Sequence, residues 1–412
     1  MDVRIGIGRC EMEFPHDFFP TEGFVTQVHP LHVRVFFIDE PNPFALVSIE
    51  MTSLPDEECA ALRKETAILL GIEESHVWIS VTHTFSAPHI LPDFALKTEE
   101  EREHRTVLRR TLSDAVRSAV WQARQEAAER ELALYQGESK TFACRDIELP
   151  EGWWIGCGGK GPSDRTLTVL AVRENDRVKG LLLHLNTQSS VLDGTGAADG
   201  KCVSGDYAGF ACTELEKRYP GAAVLFLIGA GGDQAPVKRG RGYVPDGQGG
   251  YAETDLHEAA VPIAEALGRQ LTAEAEAAMQ NTPEALNGPA RTASRSFHAP
   301  AKKMNRNLRE LRPSHSCEWE PDGDKEQTIE LFTLGSLAIV GVKPELTCPT
   351  LKQIQAVSPY PVTLAATLIN GGAKYMADQS AYDRCMYEAV NSPFAPGAAE
   401  MLVREAAALL NK

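Results

Sequence analysis

Short apolar segments bounded by turn residues recur along the chain, and they predict β-strands. Longer segments between them carry apolar residues at helical spacing, and these segments predict helices. The predicted strands are 33–38, 44–50, 77–81, 167–172, 180–185, 223–228, 329–334, 337–342 and 362–369, and the predicted helices are 56–70, 99 to about 134, 206–218, 255–279 and 398–410. Because strands and helices alternate, we expect an α/β fold in which mixed β-sheets are flanked by helices.

The chain has 412 residues, which is longer than one average domain. No internal repeat or clear linker divides it, so we predict one large α/β domain over residues 1–412. Two stretches rich in Gly, Pro and polar residues, 239–251 and 281–300, are predicted to be surface loops. Long loops in compact domains are often covers of active sites.

Charge narrows the range of partners. The chain has 57 acidic and 41 basic residues, a net charge of -16, which repels a nucleic-acid backbone and an anionic membrane surface. We therefore expect neither as a partner, whereas assembly into homo-oligomers is left open. The nine cysteines are odd in number, scattered and never in a CxxC pair. Together with an N-terminus that lacks an export signal, this pattern predicts reduced thiols and a cytoplasmic protein.

Polar residues follow the ends of five predicted strands, where loops converge and ligands bind in open α/β sheets. A histidine or a carboxylate there is well placed to hold a metal ion, although a single histidine is more often a structural residue. The turn GAGGD lacks the pattern GxxxxGK[ST], so a nucleotide phosphate loop is not predicted. The residues singled out are His83 and His89 after strand 77–81, His184 and Gln188 at strand 180–185, Gly231, Gly232 and Asp233 after strand 223–228, Glu345 after strand 337–342, and Tyr375 after strand 362–369.

Five motifs occur in a fixed order, namely ISVTHTFSAPH, VSGDYAG, IGAGGDQAP, VGVKPEL and GGAKYMADQSAYDRCMYEA. In this order they resemble the catalytic domain of the neutral/alkaline ceramidase family, non-lysosomal amidases that hydrolyse an N-acyl bond with a bound zinc ion. The resemblance extends over nearly the whole chain. It implies that His83 and Glu345 are zinc ligands and that Tyr375 binds the metal or lies beside it.

Three positions depart from the family pattern. Phe85 replaces the second histidine of the first motif, Gln188 stands where another zinc-binding histidine is expected, and Ala235 replaces a serine. An amide oxygen is a poorer zinc ligand than an imidazole. The site is therefore rebuilt with His89 or His184, shifted toward a harder cation bound by the Gln188 carbonyl, or lost.

The leading hypothesis is a metal-dependent hydrolase that cleaves a C–N amide bond of a small soluble substrate through a metal-activated water. One zinc ion is expected, its identity open, with Tyr375, His89 and Asp233 as catalytic residues. Gly231, Gly232 and Gln188 are the expected substrate-binding residues.

Two other functions compete with this hypothesis. One is a catalytically inactive binding protein with a ceramidase-like fold, and the other is a phosphoryl hydrolase. The chain stops about one helix after the tyrosine motif, so no C-terminal immunoglobulin-like domain is expected.

Overall fold

The computed structural model describes residues 3–40, 42–284, 286, 288–303 and 311–412. Its helices are Asp56–Leu70 (α1), Glu99–Gln125 (α2), Asp206–Arg218 (α3), Val261–Ala278 (α4), Cys348–Val357 (α5), Gln379–Asp383 (α6), Tyr387–Val390 (α7) and Ala398–Leu410 (α8). Its strands are Val3–Glu11 (β1), Phe24–Gln27 (β2), His32–Glu40 (β3), Phe44–Ile49 (β4), Val77–Val81 (β5), Ala128–Glu138 (β6), Phe142–Cys144 (β7), Asp146–Leu149 (β8), Gly152–Ile155 (β9), Thr166–Glu174 (β10), Arg177–Leu185 (β11), Gly196–Ala197 (β12), Gly200–Val203 (β13), Ala223–Ile228 (β14), Gln234–Pro236 (β15), Arg241–Pro245 (β16), Tyr251–Asp255 (β17), Ala290–Lys302 (β18), Pro321–Leu334 (β19), Leu337–Gly341 (β20), Glu345–Leu346 (β21), Val362–Ala366 (β22) and Tyr375–Met376 (β23).

Two sheets organise the molecule. The larger has eight strands in the order β14-β11-β10-β6-β1-β3-β4-β5, and the smaller has four in the order β18-β19-β20-β22. Most neighbours are antiparallel, but β11 with β14, β4 with β5, and β20 with β22 are parallel. The sheets are therefore mixed, which confirms the predicted fold class.

The two sheets stack face to face in the middle of the molecule. Apolar side chains from both sheets meet there, and the rings of Phe44 and Phe332 lie 4.2 Å apart. Helices α1 to α4 cover the outer face of the larger sheet, and α5 and α8 cover the outer face of the smaller one. The result is four layers, each of which buries one apolar face against the next.

The predicted helix from 99 to about 134 was too long. Helix α2 ends at Gln125, two residues after its last buried apolar residue, Ala123. Residues 128–138 form strand β6, which pairs with β1 on one side and with β10 on the other. Its sequence, AERELALYQGE, is rich in helix formers, so the pairing partners and not the local preference decide its conformation.

Other boundaries also differ from prediction. The segment 255–279 is helical only from Val261, because Asp255 ends β17 and residues 257–260 form a short 3-10 helix. The segment 239–251 contains an exposed hairpin, β16 and β17, in place of a plain loop. The predicted loop 281–300 contains most of β18, whose many exposed polar residues conceal a strand paired with β19 along its length.

Cysteine pairing departs from the sequence-based expectation as well. Cys317 and Cys385 form a disulfide between residues 68 positions apart, with their Cα atoms 5.8 Å from each other. The remaining cysteines carry free thiols. The prediction of reduced thiols was wrong for this pair, because sequence spacing does not reveal which distant cysteines the fold brings together. Within the described residues, no helix has the length and apolarity needed to cross a membrane.

Candidate functional site

His83 lies two residues beyond the end of β5, in the left-handed backbone region with φ 57°. Its Nδ1 is 2.5 Å from the carbonyl oxygen of Thr52, so Nδ1 carries a proton and donates it to that oxygen. Its Nε2 is buried, has no hydrogen-bond partner in the described part of the chain, and lies 3.3 Å from Oε1 of Glu345. The ring of Phe85 packs edge-on against the imidazole at 4.6 Å.

Backbone pairing brings three further predicted residues to His83. A bridge between Thr84 and Ser189 joins the turns after β5 and β11. The parallel pairing of β21 with β23 sets Glu345 beside Tyr375. Nε2 of Gln188 donates to Oε2 of Glu345 at 2.5 Å and lies 3.5 Å from the Tyr375 hydroxyl. We call His83, Gln188, Glu345 and Tyr375 the His83–Glu345 cluster, and all four side chains are buried.

A buried arginine that sequence reasoning missed completes the cluster. Nη1 of Arg145 donates to Oε1 of Gln188 at 2.7 Å, while Nε and Nη2 donate to Oε1 of Glu388 at 3.0 and 2.6 Å. The guanidinium also lies 5.4 Å from the centre of the Tyr375 ring. Arg145 follows only the three-residue strand β7, so no long apolar run precedes it that would have predicted a site residue there. Glu388 stands inside the last of the five motifs, which is the one signal that pointed to it.

The charges around Glu345 favour its ionised form. Burial acts to raise its pKa, but the imidazole of His83, the guanidinium of Arg145 and the hydrogen bond from Gln188 outweigh burial, so the pKa lies below the usual range. Burial has the opposite net result at Tyr375, where it raises the pKa of the hydroxyl despite the nearby Arg145. At neutral pH the site therefore holds a carboxylate beside a neutral phenol.

The donor set does not fit the zinc ion that the sequence resemblance implies. Because Oε1 of Gln188 accepts from Arg145, its NH2 group faces Glu345 and Tyr375, and an amide NH2 is not a ligand. Tyr375 would have to lose its proton, against the burial that raises its pKa, to act as a ligand, so His83 and Glu345 are the only members of the cluster with a free donor atom, whereas catalytic zinc takes three protein ligands. In the ranges that the structure describes, no group of three or more His, Cys, Asp or Glu residues is arranged to hold a metal ion.

A cavity of about 690 Å³ lies next to the cluster. Glu388 lines this cavity and is bonded to Arg145, so the Arg145–Glu388 pair connects the cavity with the His83–Glu345 cluster. Residues of the β16–β17 hairpin, including Gly249 and Tyr251, form part of its wall. The polar stretch 239–251 thus contributes directly to the cavity.

Asp233 also lines the cavity, and its Oδ1 accepts a hydrogen bond from the backbone N–H of Cys348 at 2.9 Å. Burial, together with the negative charge of Glu388, raises its pKa above the usual range despite that bond. The N–H groups of Gly231 and Gly232 donate to the carbonyls of Gly229 and Leu346, both at 2.8 Å. Both N–H groups expected to bind substrate are therefore engaged within the protein.

The two histidines considered as replacement ligands lie elsewhere. Nδ1 of His89 is 2.8 Å from Oε2 of Glu22, and both residues line a separate cavity of about 310 Å³. Nε2 of His184 donates to the carbonyl of Ala365 at 2.7 Å, and this histidine lines a third cavity of about 140 Å³. The fold does not bring either imidazole into the His83–Glu345 cluster.

Comparison with known proteins gives a match in structure but not in sequence. No protein-family model and no curated protein sequence matches the chain. Two similar solved structures are a ceramidase complexed with C2 and the neutral ceramidase from Pseudomonas aeruginosa, each 14% identical to this chain with a TM-score of 0.76. The similarity covers 99% and 100% of this chain, respectively, and 75% of the ceramidase chain in each case. This chain therefore has the fold of neutral ceramidase over essentially its whole length.

Proposed function

We propose that the protein hydrolyses a C–N amide bond of a small molecule and that the His83–Glu345 cluster is its reacting centre. The observation that carries the proposal is the convergence of four residues from separate segments into one buried, hydrogen-bonded cluster. Such a cluster beside a large cavity, in a fold shared with amide-cleaving ceramidases, is the expected setting for amide hydrolysis.

In this proposal His83 is the general base. Its Nδ1 proton is held by the Thr52 carbonyl, so it is the neutral form of the imidazole, with a lone pair on Nε2, that takes a proton from an attacking water. Glu345, 3.3 Å away, stabilises the imidazolium that then forms. The attack places a negative charge on the former carbonyl oxygen of the substrate.

Two uncharged donors of the cluster stabilise that oxygen. The Tyr375 hydroxyl keeps its proton because burial raises its pKa, and the Gln188 NH2 group is aimed into the cluster by Arg145. The leaving nitrogen needs a proton, and Asp233 supplies it from the cavity side, because its raised pKa keeps it partly protonated near neutral pH. None of these steps requires a metal ion.

The test is turnover of a panel of soluble amides by protein purified without chelator, with metal analysis of the same sample. We expect turnover that survives chelation and falls at least about 1000-fold in the variant His83→Ala, since the general base is lost. His89→Ala is the matched control, and we expect it to keep its activity. Turnover that stops on chelation and returns with zinc would support the metal mechanism implied by the sequence, and no turnover of any amide would remove the proposal.

A second function is favoured by one specific observation. The Arg145–Gln188 bond, together with the shortage of metal ligands among the residues that the structure describes, is also what a ceramidase-like fold without catalysis would contain. Such a protein would bind a small molecule in the cavity and release it unchanged. Recovery of a bound small molecule in native mass spectrometry, combined with no turnover over the whole panel, would favour this binding function.

A further inference from the structure

We infer that Asp146 is a positioning residue of the proposed reaction: as a neutral acid it donates a hydrogen bond to Glu388, and this bond keeps Arg145 directed at Gln188. The inference rests on the proposed function, since it assigns a role in that reaction. Asp146 follows Arg145 directly in the chain and lies in the wall of the cavity, where it faces Glu388. Asp146 is 6% exposed and Glu388 is 0% exposed, so bulk water solvates neither carboxyl group well.

The two oxygens of Glu388 give the first argument. Oε1 accepts both hydrogen bonds from Nε and Nη2 of Arg145. Among the described residues, no N–H group and no hydroxyl of Ser, Thr or Tyr donates to Oε2. The carboxyl group of Asp146 shares a hydrogen bond with the Glu388 side chain. Because ionised carboxylates can only accept, this hydrogen bond exists only if one of the two groups keeps a proton.

Asp146 is the partner that keeps the proton. The two bonds from Arg145 favour the ionised form of Glu388. Burial raises the pKa of Asp146 well above the usual range, and the charges of Glu388 and Asp233 raise it further, against the opposing effect of Arg145. The thiol of Cys144 lies 3.7 Å from Oδ2 of Asp146, and burial raises its pKa too, so it stays neutral. At neutral pH the pair is therefore one carboxylic acid and one carboxylate.

The shared proton determines where Arg145 points. An ionised Asp146 would repel Glu388 and compete with it for the guanidinium, because both carboxylates would attract the same charge. A neutral Asp146 leaves Arg145 bonded to Glu388, with Nη1 on Oε1 of Gln188 at 2.7 Å. That last bond aims the Gln188 NH2 group at the place where the oxyanion forms. Asp146 therefore acts on the transition state through other side chains and does not touch the substrate.

Two variants at position 146 separate the hydrogen bond from the charge. Asp146→Asn keeps a donor for Glu388 but cannot ionise, whereas Asp146→Leu has a similar size and no donor. In turnover of soluble amides by the full chain, we expect Asp146→Leu to lower kcat about 100-fold with KM changed less than about twofold, and Asp146→Asn to keep at least about a third of kcat. Glu151→Leu, at an exposed acid in the turn after β8, is the control and should match the unaltered protein. An unchanged kcat in Asp146→Leu, or an equal loss in both variants at position 146, overturns the inference.

The pH profile tests the proton itself. Asp233 must be protonated to supply the leaving nitrogen, and Asp146 must be protonated to bond Glu388. The logarithm of kcat of the unaltered protein should therefore fall at high pH with a final slope of about -2 per pH unit. In Asp146→Asn the slope should be about -1, because only Asp233 still titrates. The same slope in both proteins overturns the inference.

Infrared spectroscopy detects the proton without catalysis. At pH 8.5 Asp233, whose pKa is raised to about 7, is mostly ionised. The unaltered protein should still show the carbonyl band of a protonated carboxyl group, and Asp146→Asn should lose it. No difference between the two spectra overturns the inference. An amide panel without turnover would remove the proposed function while the band still shows the shared proton, whereas turnover unaffected by Asp146→Leu would remove the inference and leave the function.

Discussion

Nη1 of Arg145 lies 2.7 Å from Oε1 of Gln188, and this hydrogen bond determines which atoms the cluster presents. It turns the amide so that its NH2 group faces Glu345 and Tyr375. It also sets a permanent positive charge beside Glu345, at a point where the sequence resemblance implies a metal ion. The charge that balances Glu345 is thus provided by the protein itself.

Zinc content follows from this arrangement. We expect less than about 0.1 zinc per chain in the protein as it is, since a two-ligand set binds the ion weakly. The zinc content of the single variant Gln188→His should stay low, because the guanidinium of Arg145 repels a cation. Gln188→His combined with Arg145→Gln should gain about one zinc per chain, measured by mass spectrometry of metals. One zinc per chain in the unaltered protein would contradict this reasoning.

The buried Arg145–Glu388 pair should dominate local stability. Removing one partner leaves the other charge buried without compensation, so Arg145→Met should lower the free energy of unfolding by about 3–5 kcal/mol. The double variant Arg145→Met with Glu388→Gln should regain part of that loss, because position 388 no longer carries an unpaired charge, whereas Glu345 still lacks the charge of Arg145. Urea unfolding of the four proteins forms a double-mutant cycle that measures the coupling.

An exposed ion pair supplies the control for this cycle. Arg102 and Glu99 lie 3.2 Å apart on the surface of α2. Arg102→Met should cost less than about 1 kcal/mol, since water screens the pair. A cost equal to that of Arg145→Met would show that burial does not distinguish the two pairs.

The Cys317–Cys385 disulfide should stabilise the cavity wall. It closes a loop between positions 68 residues apart, for which the loss of chain entropy in the unfolded state predicts about 4 kcal/mol. Changing both cysteines to serine should therefore lower the free energy of unfolding by about that amount. Dithiothreitol should destabilise the unaltered protein to a similar extent and have no effect on the double variant.

Cys10→Ser is the control for the disulfide, because Cys10 carries a free, half-buried thiol. Its free energy of unfolding should change by less than about 0.5 kcal/mol. An unaltered response to dithiothreitol in the serine variant of Cys317 and Cys385 would mean that another thiol pair is responsible.

Asp206 makes stability depend on pH. Its carboxylate is buried and accepts N–H groups from Leu192 and Tyr207 at 2.8 and 2.6 Å, but burial outweighs these bonds and raises the pKa to about 6. Because the folded pKa lies above the unfolded one, the stabilising contribution is full below about pH 4 and is lost as pH rises past 6. The loss is on the order of 3 kcal/mol.

Asp206→Asn removes the titration. Between pH 4 and pH 7, the free energy of unfolding of this variant in urea should rise relative to that of the unaltered protein. Asp199→Asn changes an exposed acid, and its free energy of unfolding should follow that of the unaltered protein over the same range. Other titrating groups cancel in the comparison. A constant difference between Asp206→Asn and the unaltered protein over this pH range would contradict the assignment.

The strand positions predicted from the sequence were most accurate for strands that are buried on both faces. Continuous apolar runs such as 77–81 and 223–228 coincide with β5 and β14, and their ends led to His83 and to the turn around Asp233. Strand β18 escaped prediction because its sequence is polar and its order comes from pairing with β19. A local pattern cannot report a partner that lies far away in the chain.

The residues of the candidate site were predicted or missed for the same reason. Glu345 and Tyr375 follow apolar strands, so their segments were noticed, and the structure brings them together with His83 and Gln188. Arg145 follows no such run, and its importance comes only from the groups that surround it. His89 was expected at the site because it is close to His83 in sequence, but its side chain turns to Glu22 instead. Closeness in sequence says little about the direction of a side chain in a turn.

The stacking of the two sheets has a consequence for biogenesis. His83, Arg145 and Gln188 belong to the first half of the chain, whereas Glu345, Tyr375 and Glu388 arrive with its last part. A nascent chain that has emerged only to about residue 300 contains Arg145 without its partner Glu388, and it lacks Glu345 and Tyr375 of the cluster. The His83–Glu345 cluster is therefore complete only once the second sheet and the segments that follow it have packed against the first part of the chain.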